Sequence, residues 1–125
     1  MNLIKSLEYF DPLDNFDTVH IIGVGAIGST VAVNLARTGV PHLVIYDFDT
    51  VESKNIANQQ YFHTQINKSK TEALVETLKA INPEIVTDVE EEGWKPGTPL
   101  FGHVILAVDN IELRKEIVTE IKDKW

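Results

Sequence analysis

Apolar residues gather in four short runs separated by longer stretches in which apolar and polar positions alternate at helical spacing. The runs are Thr18 to Ile22, Leu43 to Tyr46, Ile85 to Val89 and Val104 to Val108, and each reads as a strand. The near-continuous apolar character of the second suits a parallel strand covered on both faces. Between the first two, the spacing predicts a helix from about Ala26 to Arg37. Ala26, Ile27, Val31, Leu35 and Ala36 would face the sheet, and Gly39 would stop the helix. A second helix is expected over Lys68 to Ile81, with Ala73, Leu74, Leu78 and Ile81 as its apolar stripe and Asn82-Pro83 as its end. A third is expected from about Ile111 to Lys122.

The remaining segments read as connections. Asp47 to Lys54 is a loop, Asn55 to Phe62 an irregular or single-turn segment, and Gly93 to Gly97 a loop in which Trp94 acts as a packing lid. Before the first strand, Leu3, Ile4, Leu7, Tyr9 and Phe10 suggest an amphipathic helix ended by Pro12. Residues 1–16 would then form an arm that packs on the domain or docks on a second protomer. Strands alternating with helices imply an α/β fold over residues 17–125. The expected architecture is a Rossmann-like, mostly parallel sheet in the order 3-2-1-4, flanked by helices joined through right-handed crossovers.

The first strand runs into Gly23-Val24-Gly25-Ala26-Ile27-Gly28, a G-x-G-x-x-G pattern that opens the first helix. Gly23 permits the tight turn, Gly25 lets a pyrophosphate approach the backbone, and Gly28 lets the helix pack on its strand. The helix N-terminus there, with Ala26 and Ile27, offers free N–H groups to a phosphate. Asp47 follows Gly28 by about 20 residues at the end of the second strand, where a ribose hydroxyl would lie. The glycines, Asp47 and Asp109 all fall at carboxyl ends of strands, along the crevice where such sheets bind ligands.

Composition narrows the classes. The 125 residues are enough for one domain, and 43% hydrophobic with 24% charged residues is ordinary for a globular protein. A net charge of −8 argues against a nucleic-acid or acidic-membrane partner. No cysteine is present, which removes disulfides, a thiolate nucleophile and cysteine-based zinc sites and fits a reducing compartment. With no signal peptide or apolar run of membrane length, a cytoplasmic location is expected. The histidines show no metal-ligand spacing. His20 lies in strand one, His103 starts strand four, and His42 and His63 are expected in loops.

An NAD-binding domain would account for the glycines and Asp47 but not for the residues after strand two. There the chain continues Asp47-Phe48-Asp49-Thr50-Val51, then Asn55-Ile56-Ala57-Asn58-Gln59, then Asn67-Lys68-Ser69-Lys70, with Ile81-Asn82-Pro83 and Val108-Asp109-Asn110. Over Val19 to about Arg114 this resembles the ThiF/MoeB/HesA adenylyltransferase family, which includes the nucleotide-binding half of ubiquitin-activating enzymes. The matching motifs are a D-x-D-x-V after strand two, an N-x-x-R-Q, a lysine opening the next helix and a D-N pair after strand four.

The resemblance implies an ATP-dependent enzyme that activates a carboxylate as an acyl-adenylate, with Mg2+, and releases pyrophosphate. It implies a small ubiquitin-like or sulfur-carrier protein, or a small-molecule carboxylate, as partner, and a homodimer. Carried over to these positions, Asp47 takes the ribose, Asn55 sits beside the phosphates, Lys70 contacts them, and Asp109 holds magnesium with Asn110 adjoining. Asp49 would orient the loop or help the metal indirectly. Lys68 and Lys70 are both expected in the first helical turn, where the macrodipole disfavours a cation unless a phosphate lies there.

Three departures stand out. Asn58 occupies the arginine position of N-x-x-R-Q and brings no charge to the phosphates. Lys54, Lys68 or a partner's cation would have to substitute. Asn67 replaces a glycine before the helix-two lysine. The further strands, acceptor groove and cysteine or zinc elements of the family are not in this chain, so the fold is expected to be incomplete relative to it. Two other readings remain: a catalytically weak nucleotide-binding or scaffold domain, and an NAD(P)-dependent oxidoreductase domain.

Overall fold

The computed structural model describes residues 18–124; the expected arm over residues 1–16 and Trp125 lie outside them. The main elements are β1 (Thr18–Ile22), α1 (Ala26–Thr38), β2 (His42–Tyr46), α2 (Lys70–Ile81), β3 (Val86–Glu90), β4 (His103–Leu106) and α3 (Ile111–Lys124). The sheet has the expected order, β3-β2-β1-β4, and every pairing is parallel. Ile22 lies beside both Tyr46 and Leu106, so the carboxyl ends of β2, β1 and β4 are level. That level edge is where the site forms.

Period-two alternation divides the strands between two cores. Val19, Ile21, Leu43 and Ile45 pack with Ala32 and Ala36 of α1 and with Leu74 and Leu78 of α2. Ile22, Val44 and Tyr46 point the other way, onto Trp94, Leu100 and Ile117 of α3. Every position of β1 is buried, as a central strand requires. The sequence between β3 and β4 contains no helix. The twelve residues between Glu90 and His103 make the crossover, close to the shortest that joins parallel strands, and Trp94 and Leu100 serve as its packing residues. Trp94 is therefore the packing lid expected of it.

The inward face of α1 differs from the apolar count. It is Gly28, Ser29, Ala32, Val33 and Ala36, while Ile27 is 69% exposed and Ala26 is exposed. The cause lies at Gly28, where a β-carbon would stand 1.8 Å from the Gly23 carbonyl oxygen. So close an approach selects small residues for the inner face and turns Ile27 outward. At the other end Gly39 takes φ +92°, and its N–H and that of Val40 close the last turn on Ala36 and Leu35.

Two further expectations are corrected. α2 begins at Lys70, not Lys68, because Ser69 is the N-cap and its hydroxyl accepts from Glu72 N–H at 3.2 Å. His42 opens β2 instead of lying in a loop; its imidazole bridges Thr18 Oγ1 at 3.0 Å and Asp88 at 2.7 Å. The segment from Asp47 to Ser69 folds around two 3-10 turns, Ser53–Asn55 and His63–Gln65, with Val51 and Tyr61 buried beneath it. Among the described residues no helix is long and apolar enough to cross a membrane.

Candidate functional site

The glycine turn is held in place by its neighbours. Gly23 has φ +94°, and a β-carbon there would meet the Ala107 carbonyl oxygen at 2.9 Å, so the position excludes any side chain. Val24 N–H donates to Asp47 Oδ2 at 2.8 Å, and the Val24 carbonyl accepts from Tyr61 Oη at 2.6 Å. Burial, with the Asp47 and Asp49 charges beside it, pushes the Tyr61 phenol well above its ordinary range, so it remains a donor. Gly25 is open, with nothing nearer to a built β-carbon than Gln59 Nε2 at 3.8 Å. It caps α1 without a side chain, and no acidic residue stands in the first turn. The first N–H groups of α1 are thus left for an anion.

In front of this turn lies a cavity of about 490 Å³. Gly23, Gly25, Ala26 and Ile27 form one wall, Asp47 and Asp49 a second, and Asp109 and Asn110 a third. Asn58 and Lys70 also face it. The structure therefore brings together every candidate residue except two. Gly28 lies behind the turn as a packing position. Asn55 is buried and does not line the cavity; its Oδ1 accepts from Glu52 N–H at 2.8 Å and caps the 3-10 turn.

Asp47 ties the site together. Its second oxygen accepts from Asp49 N–H at 2.8 Å, so one carboxylate fixes both the glycine turn and the following loop. Each oxygen retains a further lone pair for a ligand. Lys70 is buried on the wall at the first position of α2, and its Nζ lies 3.9 Å from Asp49 Oδ2. Its backbone N–H bonds to the Asp49 carbonyl at 2.9 Å.

At the far wall the capping role falls on Asn110, whose Oδ1 accepts from Leu113 N–H at 3.0 Å. Asp109 is exposed and makes no hydrogen bond or ion pair with the described residues, so its carboxylate is uncommitted.

The cations proposed to replace the missing arginine lie elsewhere. Lys54 pairs with Glu52 at 3.3 Å on the surface, and Lys68 with Glu76 at 2.6 Å. Neither lines the cavity, whose charged side chains among the described residues are three aspartates and Lys70. Asn58 itself is exposed. No group of three metal-ligating side chains is found among the described residues. An exposed lone aspartate with room for water still suits magnesium, which prefers one or two carboxylates, several waters and substrate phosphates.

Sequence reasoning did not assign Tyr46, Phe48, Gln59 or Trp94 to the wall, yet all four line it. Phe48 lies inside the D-x-D-x-V motif and Gln59 ends the N-x-x-R-Q motif, so their placement was available as a signal. Gln59 Oε1 and the Trp94 indole N–H are covered and have no hydrogen-bond partner among the described residues.

An uncapped helix N-terminus behind a glycine turn, with a carboxylate at the end of the adjoining strand, defines a nucleotide-binding domain of Rossmann type. The chain belongs to the ThiF family, whose pattern matches residues 6–122. It is similar to ubiquitin-like modifier-activating enzyme 5 of Drosophila willistoni, at 32% identity over 135 positions covering 94% of this chain and 32% of the relative. Its namesake in Arabidopsis thaliana is 36% identical over 90 positions, 68% of this chain and 21% of that one. The chain thus spans a third or less of these curated relatives.

Among solved structures, MccB of E. coli with ATP matches at 27% identity and a TM-score of 0.75, over 86% of this chain and 34% of that one. MccB has also been solved with MccA. E. coli tRNA N6-threonylcarbamoyladenosine dehydratase, TcdA, solved with ATP, shares the fold at a TM-score of 0.82 and 23% identity, over 96% of this chain and 54% of that one.

Proposed function

We propose that this chain carries the ATP site of an enzyme that activates a carboxylate as an acyl-adenylate with release of pyrophosphate. The observation that carries the reading is Lys70, a buried cation 3.9 Å from Asp49 on the wall of the cavity that the uncapped start of α1 also lines. A triphosphate needs such a charge, whereas hydride transfer from a nicotinamide does not. Membership of the ThiF family and the ATP-bound MccB support the same choice.

Asp47 takes the ribose hydroxyls through its remaining lone pairs. The N–H groups of Ala26 and Ile27 and the Lys70 ammonium take the phosphates. An acceptor carboxylate oxygen attacks the α-phosphorus, the bond from that phosphorus to the β-phosphate bridge breaks, and pyrophosphate leaves; no proton must move. Catalysis then rests on positioning and on neutralising charge spread over the phosphates. Asp109, with Asn110 beside it, would hold magnesium, which would supply positive charge to the phosphates. Among the described residues three aspartates and one lysine line the wall, a balance that favours a cation accompanying the polyphosphate.

The acceptor is the carboxyl group of a small ubiquitin-like or sulfur-carrier protein, of a peptide, or of a small molecule. The names of the relatives and the MccB structure with MccA support a protein or peptide. The protein is proposed to act in the cytoplasm as a homodimer; β4 pairs only with β1 among the described residues, and open sheet edges invite partners. Calorimetry with ATP-Mg, ADP, NAD and NADP tests the reading. ATP-Mg should bind best and lose affinity without magnesium, while tighter, metal-independent binding of NAD would overturn it.

One observation favours a second reading, nucleotide binding with little turnover. Asn58 leaves the wall without the family's arginine, and among the described residues Lys70 is the one cation that lines it. Feeble ATP–pyrophosphate exchange beside firm ATP binding would select this reading.

A further inference from the structure

The crossover between β3 and β4 forms part of the site wall with no helix of its own to hold it. Trp94 and Leu100 pack it onto the second core, and Trp94 also lines the cavity. Hydrogen bonds tie its far half to other elements. Gly97 N–H donates to Glu120 Oε1 of α3 at 3.0 Å on the surface, and Phe101 N–H donates to His20 Nε2 at 3.5 Å. His20 stands at the centre of β1 and is 2% exposed. Its ring meets that of Phe101 edge-on at 4.9 Å and stacks with that of Tyr46 at 5.8 Å.

These contacts fix where the imidazole carries its proton. A backbone N–H can only donate, so the Nε2 facing Phe101 is bare and Nδ1 holds the hydrogen. Nδ1–H then donates to Tyr46 Oη at 2.7 Å. Burial first, and the Glu90 and Asp88 charges after it, push the Tyr46 phenol up to about 12, so it stays neutral. From β2, His42 also faces this core, bridging Thr18 and Asp88. The crossover carries Glu91, Glu92 and Lys95, all exposed, the last two paired. Leu113, Ile117 and Ile121 of α3 and Val104 and Leu106 of β4 complete the core, with Glu120 at its rim on Gly97. A second proton, on Nε2, would point at the Phe101 N–H, donor against donor in a buried place. The crossover has to lift before water can solvate that ring.

We infer that His20 is a positioning residue that latches the β3–β4 crossover onto the site wall only while its imidazole is neutral, so that proton uptake opens the wall. The inference rests on the nucleotide reading only for the ligand that this opening releases. Beneath the closed crossover, burial chiefly and His42 secondarily lower the imidazole from 6.5 to about 4. The open form, with the ring in water, takes its proton near the ordinary value, so closure weakens as pH falls through that window.

The test is amide exchange, corrected for intrinsic rates, at pH 7.5 and pH 5.5 on the natural chain, His20→Gln and His20→Leu. The Phe101 amide reports the latch and the Leu43 amide in β2 reports the whole fold. Phe101 should be less protected than Leu43, and its protection should fall about tenfold between the two pH values. In His20→Gln, whose side-chain oxygen accepts from Phe101 without titrating, protection should persist and ignore pH. In His20→Leu, which offers no acceptor, it should be low at both. ATP-Mg should raise Phe101 protection in the natural chain.

Phe101 protected as strongly as Leu43 would mean that the crossover opens only with the whole fold, and would overturn the inference. So would protection in the natural chain that ignores pH, or that falls equally in His20→Gln. Circular dichroism checks the variants, and should either fail to fold, the natural chain alone still decides. ATP-Mg that binds without protecting Phe101 overturns the link to the site. A latch that answers to pH in a chain that binds no ATP-Mg stands, while the nucleotide reading fails.

Discussion

Lys70 Nζ and Asp49 Oδ2 face each other across 3.9 Å, with the lysine side chain 7% exposed and the aspartate 56%. The lysine is thus charge-balanced before a ligand arrives, and a phosphate entering the cavity becomes its second partner. Lys70→Met should weaken ATP-Mg binding by about 10–100-fold, the range expected for a charged hydrogen bond of about 1.5–3 kcal/mol. Melting temperature should move little, because Asp49 is left mostly in solvent. Calorimetry and a thermal melt of the same variant check both parts.

Asp47 has two obligations, so its loss should show twice. Asp47→Ala strands the N–H groups of Val24 and Asp49 and removes the ribose acceptor. Stability and ATP affinity should each fall by about 1–3 kcal/mol. A variant that loses affinity at unchanged stability would contradict the stapling role.

Asp109 and Asn110 should separate cleanly despite being neighbours. Asn110→Ala removes the cap on α3 and should lower stability by about 1 kcal/mol. Asp109→Ala should leave the melting temperature alone and abolish the dependence of ATP binding on magnesium. Measuring binding with and without the metal, alongside melts, distinguishes them.

Asn58→Arg should raise ATP–pyrophosphate exchange in the longest natural chain supplied with its acceptor. An arginine finger contributes about 10³–10⁵ in rate to phosphoryl transfer, and part of that is the expected gain. Lys54→Ala should be silent, since Lys54 is paired with Glu52 away from the cavity. Brisk exchange that neither change affects would show that the missing charge has no consequence.

His20 makes stability depend on pH. It is buried in β1, where Phe101 N–H approaches its Nε2 at 3.5 Å and its Nδ1 lies 2.7 Å from Tyr46 Oη. Burial chiefly, and the His42 imidazole secondarily, lower its pKa from 6.5 to about 4. Between those values the unfolded chain holds the proton and the folded one does not, so stability falls as pH drops from about 6.5 to about 4. The loss amounts to up to about 3 kcal/mol. His20→Gln should flatten this slope in urea titrations at pH 7 and pH 4.5.

Much of this was legible because it rests on local rules. The strand, glycine turn and helix from Thr18 onward come from periodicity and spacing, as do the strand order and the position of Asp47. Lys70 was legible through its place at a helix start. The orientation of Ile27 was not, because counting apolar positions ignores a glycine that must approach a carbonyl. The cap that Asn55 makes on Glu52 N–H was not legible, because a motif position does not reveal a local side-chain-to-backbone bond. Asp109 and Asn110 are adjacent, and only geometry shows which one caps. Phe48 was hidden between two aspartates that drew the chemistry to themselves.

The short strap between β3 and β4 has a wider consequence. Trp94 belongs at once to the second core and to the cavity wall, so disorder in the strap opens both. Local opening of residues 91–102 and release of a nucleotide become one linked equilibrium. A bound nucleotide should therefore slow amide exchange as far away as Leu100, at the far end of the strap, and make the sheet's second face a reporter of occupancy at the first.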